Sequence, residues 1–182
     1  MNDSFHIERR TPLLHSHVFD VERRTITHSG TTFERDVAVH PGAVAVLVID
    51  EHARIGVIRQ YRSTFDRTTY EIPAGTNDVE GEEPLTTAQR ELREEMGRAA
   101  ATWRLLGRFM TSPGWTDQVM TIFEARDLTE TDREPAGPEE SASSVQWLSP
   151  RDLRAALALE PAIDSTLTVA LHLIYGTFFD LN

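Results

Sequence analysis

The segment from Gly75 to Gly97 places three glutamates within five residues, and this constrains the fold and chemistry of the chain more than any other feature. Glu91, Glu94 and Glu95 share one face of a helix, because positions i, i+3 and i+4 are neighbours there. Carboxylates crowded into one site repel one another and disfavour ionisation. The crowding becomes favourable when a hard divalent cation lies among the oxygens. The segment therefore predicts a helix that presents a metal-binding carboxylate cluster.

An apolar stripe in the same segment can anchor this helix. Its members recur at spacings of three and four residues: Leu85, Ala88, Leu92 and Met96. The stripe can bury against a sheet while the glutamates face out. Because Pro84 suits the first helical turn and Gly97 suits a helix end, we expect the helix to span residues 84–96.

The patterning of the remaining chain predicts an α+β fold. Strands are expected over residues 16–27, 31–40, 43–49, 54–61, 69–72, 103–110, 118–125 and 145–148. Further helices are expected over residues 149–159 and 163–178, and residues 129–144 are expected to form a polar loop. This order of elements predicts a mixed sheet with helices outside it.

Composition excludes several functional classes. The net charge of -11 argues against a nucleic-acid binder, which would present a basic face. All 18 basic residues are Arg, which excludes a lysine Schiff base and leaves bidentate phosphate contacts available. Cysteine is absent, so disulfides, thiolate metal sites and cysteine nucleophiles are excluded. With a polar N-terminus and no apolar run long enough for a bilayer, a cytoplasmic location and no membrane partner are expected.

The glutamate helix resembles the signature of the Nudix hydrolase family, G-x5-E-x7-R-E-U-x-E-E-x-G-U, where U is a bulky aliphatic residue. The stretch RELREEMG from Arg90 to Gly97 matches the helical half, and Glu82 stands at the expected distance before it. The sequence departs from the pattern twice. Six residues separate Gly75 from Glu82, so the loop is one residue longer, and Arg98 replaces the final aliphatic.

The resemblance implies an architecture more specific than the pattern alone predicts. Members have an α/β/α sandwich built on a mixed sheet, which we expect in residues 43–182. Residues 1–42 would form a separate antiparallel β-sheet segment that is exchanged between the subunits of a homodimer.

Residues outside the signature resemble the ADP-ribose pyrophosphatase subfamily: RQYR at 59–62, EIPAG at 71–75 and SPG at 112–114. This resemblance implies Mg2+-dependent hydrolysis of ADP-ribose, a small-molecule nucleoside diphosphate sugar, to AMP and ribose 5-phosphate. Other nucleoside diphosphate sugars or dinucleoside polyphosphates are the alternatives within the enzyme class. A hydrolase of damaged nucleoside triphosphates fits the N-terminal extension and Pro113 less well. From a different class, a non-catalytic sensor that binds ADP-ribose is the alternative.

The resemblance also implies a set of metal ligands for Mg2+, with Mn2+ as the substitute ion. These are the backbone carbonyl of Ala74 and the carboxylates of Glu91, Glu94, Glu95 and Glu140. Arg90 is expected to orient the acidic cluster by pairing with Glu82 and Glu94. A glutamate of the 129–144 loop would act as general base, and Glu140 is favoured over its neighbour Glu139.

Substrate contacts are predicted at Arg35, Asp36, Arg59, Arg62, Pro113 and Gly114. Arg62 is the main candidate for the diphosphate, since an arginine at a strand end beside the box loop can form a bidentate pair. Arg59 is the fallback, and Arg35 and Asp36 are implied to lie against the adenine. Trp115 is expected to pack in the core.

Overall fold

The computed structural model describes residues 4–179, which contain strands β1 to β10 and helices α1 to α4. The strands are β1 His6–His15, β2 Asp20–His28, β3 Thr31–Val39, β4 Ala43–Ile49, β5 Ile55–Arg62, β6 Arg67–Glu71, β7 Ala74–Thr76, β8 Arg98–Met110, β9 Val119–Glu130 and β10 Ser144–Leu148. The helices are α1 Pro84–Met96, α2 Gly137–Ser141, α3 Pro150–Leu157 and α4 Ser165–Tyr175. None of these helices combines the length and apolar character needed to cross a membrane.

The chain divides into two compact units. The smaller unit contains the chain up to Gly42 together with Phe109–Met120, and the larger unit contains Ala43–Arg108 and the chain from Thr121 onward. In the smaller unit, β1, β2 and β3 form a three-stranded antiparallel sheet in that order. The turn between β2 and β3 has positive φ at Ser29 and Gly30, as a tight hairpin requires. The strands predicted over residues 16–27 and 31–40 are thus present, although the first begins four residues later than expected.

The larger unit is built on a mixed seven-stranded sheet with the order β10, β5, β4, β9, β8, and with β6 paired to β5 and β7 paired to β4. β4 is buried along its whole length. Val44, Val46 and Val48 pack in one cluster with Ala88 and Leu92 of α1. The alternate residues of β4 point to the opposite face, and α4 contacts this strand. Helices therefore cover the sheet, which confirms the predicted α/β/α sandwich.

Helix α1 begins and ends where the sequence predicted. Pro84 occupies the first turn, where its missing N–H leaves no hydrogen bond unmade. Gly97 terminates the helix in the left-handed conformation, with φ of 63°, and its N–H donates to the carbonyl of Arg93 at 2.9 Å. The local chemistry of the two ends is sufficient to fix this element.

Several elements differ from the sequence-based expectations. β1 was not predicted, because it is almost wholly exposed and includes Pro12, so only its pairing with β2 makes it a strand. The three-residue strand β7 contains Gly75 and was also missed. β9 extends to Glu130, and the short helix α2 lies inside the segment that was expected to be an irregular loop.

Candidate active site

The carboxylates of α1 are more deeply buried than the sequence suggested. Glu91 and Glu95 are only 8% and 4% exposed, although they were expected to face out. Leu85, expected in the buried stripe, is 37% exposed. The helix is rotated so that its carboxylate face meets β7, which α1 contacts directly. The correction follows from β7, a strand that the sequence pattern did not predict.

Arg90 is the hub of the ion pairs on this face. Its Nη1 donates to Glu91 Oε1 at 2.7 Å and to Glu94 Oε2 at 3.0 Å. Its Nη2 lies 3.6 Å from Glu82 Oε2, a carboxylate that also accepts a hydrogen bond from Thr87 Oγ1 at 2.8 Å. The predicted pairing of Arg90 with Glu82 and Glu94 is thus present, and Glu91 is an additional partner.

The backbone of β7 is packed directly against the two buried carboxylates. The N–H of Ala74 donates to Glu95 Oε2 at 2.8 Å. Gly75 has no side chain, and a Cβ at this position would lie 2.0 Å from the carboxyl carbon of Glu91. The glycine therefore allows a contact that any larger residue would prevent.

Burial shifts the protonation of these two groups. It raises the pKa of Glu91 to about 7, with Arg90 opposing the shift and Glu94 and Glu140 adding to it. Burial likewise raises the pKa of Glu95 to about 8, although the hydrogen bond from Ala74 favours the carboxylate. Arg90, Arg62 and the Ala74 N–H therefore do not fully offset the cost of ionising these two buried carboxyl groups.

The site fits a hard divalent cation by its chemistry. Among residues 4–179, no three His, Asp or Glu side chains converge in a ready-made metal site. We attribute this to Arg90, because Glu91 and Glu94 both turn their oxygens toward its guanidinium. The donors are all oxygens, and the like charges of Glu91, Glu94 and Glu140 repel one another here, a repulsion that a bound cation would relieve.

The two loop glutamates lie on α2 and differ in their surroundings. Glu140 raises the pKa of both Glu91 and Glu95 through its charge, so it is within electrostatic reach of the cluster. Its Oε2 also accepts a hydrogen bond from the N–H of Ala136 at 2.6 Å. The charge of Glu139 acts instead on Tyr61, whose pKa is raised first by a hydrogen bond to Asp66. Of the two glutamates, Glu140 is therefore the one with a named electrostatic effect on the carboxylates of α1.

Arg62 is held at the end of β5 by a two-point ion pair. Its Nε lies 2.9 Å from Glu71 Oε1 and its Nη2 lies 2.5 Å from Oε2, while Thr69 Oγ1 donates to the same carboxylate at 2.5 Å. The side chain is still partly exposed, and within residues 4–179 its Nη1 has no hydrogen-bond partner. This leaves one edge of the guanidinium able to bind an anion.

Arg59 is engaged elsewhere in the same unit. Its Nη1 donates to Glu160 Oε1 at 2.7 Å, and its guanidinium lies 4.1 Å from the centre of the Tyr70 ring. The first contact ties β5 to the segment after α3, and the second joins β5 to β6. Arg59 is therefore a less accessible phosphate ligand than Arg62.

The remaining predicted substrate residues belong to the smaller unit, where a cavity of about 530 Å³ is present. Three predicted substrate residues, Arg35, Pro113 and Gly114, line this cavity, and so do Trp115 and Asp117. Asp36 does not line the cavity; it pairs with Arg23 at 2.7 Å and 2.9 Å, which lowers its pKa. Trp115 is 60% exposed, so the expectation that it packs in the core was wrong.

Two residues of the site were missed from the sequence. Glu71 fixes Arg62, but an acidic residue in a short strand gave no signal by itself. Arg133 donates hydrogen bonds to the backbone of both Glu95 and Glu140. The sequence did offer a sign of this role, because Arg133 is the only basic residue between positions 129 and 144.

Comparison with known proteins connects this geometry to a family. An ADP-ribose pyrophosphatase of Mycobacterium tuberculosis (strain ATCC 25618 / H37Rv) is 42% identical over 118 residues, which cover 65% of this chain and 57% of the relative. An ADP-ribose pyrophosphatase of Bacillus subtilis (strain 168) is 42% identical over 101 residues, 56% of this chain and 54% of the relative. The chain thus spans about half the length of these curated relatives.

A crystal structure of an ADP compounds hydrolase shares the fold, with a TM-score of 0.76 at 22% identity and 95% of each chain covered. The family model of the NUDIX domain matches residues 39–168, which is most of the sequence. The buried glutamate helix lies inside this matched region. The chain therefore belongs to the NUDIX domain family, as its sequence predicted.

Proposed function

We propose that this protein is a Mg2+-dependent hydrolase that cleaves the diphosphate of ADP-ribose to AMP and ribose 5-phosphate. The observation that carries the proposal is the buried carboxylate cluster of α1. Burial raises the pKa values of Glu91 and Glu95 there, and the negative charge of Glu140 raises both values further. Nudix hydrolases generally use divalent metal ions. The names of the two bacterial relatives support ADP-ribose as the substrate.

The residues proposed to hold the metal are the Ala74 carbonyl, Glu91, Glu94, Glu95 and Glu140, with Mg2+ as the ion and Mn2+ as its substitute. When bound, Mg2+ would neutralise diphosphate oxygens and lower the pKa of a coordinated water. All five donors are oxygens, which matches the preference of Mg2+. Arg90 would orient Glu91 and Glu94, because it already bonds both carboxylates.

The chemical step requires a base and an anion clamp from the chain itself. Glu140 would accept a proton from the attacking water. At the same time the water oxygen would bond to phosphorus, and the bridging P–O bond would break, so that the bridging oxygen leaves with the other phosphate. Glu139 is the alternative base. Arg62 would donate from Nη1 to a phosphate oxygen, since Glu71 occupies its other edge. Arg35, Pro113 and Gly114 are proposed to contact the remainder of the nucleotide, because they line the cavity of the smaller unit.

We also propose a homodimer in which residues 1–42 complete the active site of the partner subunit.

A cytoplasmic location stays a prediction from the absence of cysteine. The domain boundary after residue 42 is likewise retained as a prediction.

The test is product release from ADP-ribose by the full chain, with Mg2+ present and after chelation. Hydrolysis only with the metal is expected. The same assay on other nucleoside diphosphate sugars and dinucleoside polyphosphates, compared by kcat/KM, decides the substrate. The variant Glu94→Gln is the matched metal-site control, and its kcat is expected to fall about 10²-fold or more, since the metal contributes several kcal/mol. Tight binding of ADP-ribose without turnover would identify a sensor instead.

A further inference from the structure

The segment before α2 closes the C-terminal end of α1. The N–H of Thr131 donates to the carbonyl of Gly97 at 3.0 Å, and the N–H of Glu134 donates to the carbonyl of Glu94 at 3.2 Å. The last carbonyls of a helix need such partners, because no further turn supplies them. A Cβ on Gly97 would lie 2.9 Å from the Thr131 carbonyl oxygen, so the contact is close.

Arg133 extends from this segment and bonds two elements at once. Its Nε donates to the carbonyl of Glu95 at 2.6 Å. Its Nη2 donates to the carbonyl of Glu140 at 2.9 Å and to Ser143 Oγ at 2.5 Å, and its Nη1 donates to the Ser143 carbonyl at 3.3 Å. Within residues 4–179 it makes no ion pair, so all of its hydrogen-bonding capacity is directed at backbone and hydroxyl oxygens.

These bonds join the two parts of the chain that carry the proposed chemistry. Glu95 contributes its carboxylate to the buried cluster and its carbonyl to Arg133. Glu140 lies within electrostatic reach of the same cluster, and its carbonyl accepts a hydrogen bond from the same guanidinium. One side chain thereby bonds the backbones of both α1 and α2.

We propose that Arg133 is a positioning residue that holds the Glu140 helix against the end of α1 and so fixes the general base relative to the metal ligands. This inference rests on the proposed function. Arginine is suited to the role because its planar fork presents several donors in fixed directions. A lysine carries one compact ammonium group and cannot bond the Glu95 carbonyl and the Ser143 hydroxyl in the same geometry.

The first experiment measures kcat and KM for Arg133→Ala, for Glu140→Gln and for the double variant. Arg133→Ala is expected to lower kcat by about 10²-fold, the cost of a roughly 1 Å misplacement of a reacting group, with a smaller change in KM. In the Glu140→Gln background the same substitution should cost little more, because the group it positions is already gone. Full additivity of the two effects on kcat would overturn the proposal, as would rescue by Arg133→Lys.

The second experiment follows amide hydrogen exchange over residues 136–143 in metal-free buffer. Exchange is expected to be faster in Arg133→Ala than in the wild type. The matched control is Arg98→Ala, since Arg98 also donates to an α1 end carbonyl, that of Gly97 at 2.8 Å, without bonding α2. Unchanged exchange in Arg133→Ala, or an equal increase in Arg98→Ala, contradicts the inference.

The exchange readout separates this inference from the proposed function. If the wild type hydrolyses no nucleotide, the proposed function fails, and exchange still decides whether Arg133 holds α2. If Arg133→Ala does not fold, Arg133→Lys serves in both experiments with the same expected directions. A wild-type exchange pattern and wild-type kcat in Arg133→Lys would then overturn the assignment.

Discussion

Glu139 and Glu140 are adjacent in sequence, and the charge of Glu140 is among the main causes that raise the pKa values of the buried pair Glu91 and Glu95. The neighbouring carboxylate acts on Tyr61 instead. Successive residues on a short helix point in different directions, so the two side chains cannot serve the same group equally. This difference gives the identity of the general base a direct test.

Glu140→Gln is expected to lower kcat by about 10²–10⁴-fold with a much smaller effect on KM, because a general base acts in the transition state. Glu139→Gln is the matched control and should change kcat only slightly. Steady-state kinetics with ADP-ribose over a range of pH provides the measurement. The reverse order of effects would assign the base to Glu139, and wild-type kcat in both variants would remove the loop from the mechanism.

The buried carboxylates should also make the stability of the metal-free protein depend on pH. The pKa of Glu95 rises from 4.5 to about 8 on folding, so the folded state holds its proton while the unfolded state releases it. The free energy of unfolding should therefore fall as pH rises from about 4.5 to about 8, and Glu91 adds to the loss up to about pH 7.

Glu95→Gln removes this titration, so its melting temperature in chelator-treated buffer should exceed that of the wild type at pH 8.5 and converge with it at pH 5. Each kcal/mol corresponds to about 2–4 °C for a chain of this size. Calorimetry of both proteins at the two pH values measures the difference. If the melting temperature of the variant exceeds that of the wild type by the same amount at both pH values, Glu95 is not protonated in the folded protein.

The contact between β7 and α1 depends on a glycine rather than on a side chain. Gly75 lies so close to Glu91 that a methyl group cannot be added without moving the carboxylate. The atoms in conflict are at the end of a flexible side chain, so the strand and the helix can both persist. A substitution at Gly75 can therefore displace Glu91, one of the proposed metal ligands, without removing its carboxylate.

Gly75→Ala is expected to reduce kcat by about 10²-fold through this displacement, with only a small loss of thermal stability. Thr76→Ala, in the same strand, is the control and should retain most activity. Kinetics combined with circular dichroism melting separates the two effects. A fully active Gly75→Ala variant would show that the position of Glu91 is not critical to catalysis.

Assembly concerns the whole molecule and starts from the surface of the smaller unit. This unit exposes eight large apolar side chains: Phe5, Ile7, Leu13, Leu14, Val18, Phe19, Met110 and Trp115. Apolar surface of this kind is typical of protein interfaces. It supports the proposal of a homodimer through this unit.

We expect sedimentation at micromolar concentration to show a dimer. Mixing two full-length variants tests the exchange of active-site residues. Arg35→Ala keeps the carboxylate cluster and Glu95→Gln keeps the cavity residues, so a mixed dimer should regain activity that neither variant has alone. An active monomer, or a mixture no more active than its components, would contradict the shared site.

Features that depend on neighbouring residues could be predicted from the sequence. The limits of α1 follow from Pro84, a regular apolar period and Gly97, which act within a few residues of one another. β4 follows from an uninterrupted apolar run. The same local spacing of glutamates predicted family membership and the acidic cluster.

Features that join distant parts of the chain could not be predicted, because they depend on how the chain folds in three dimensions. The burial of Glu95 depends on Ala74, 21 positions earlier, and its link to the Glu140 helix depends on Arg133, 38 positions later. β1 is a strand because β2 pairs with it, and its own sequence lacks an apolar period. The periodicity of apolar residues predicts the secondary structure of a single segment. It does not predict these contacts, because they depend on how separate segments meet in space.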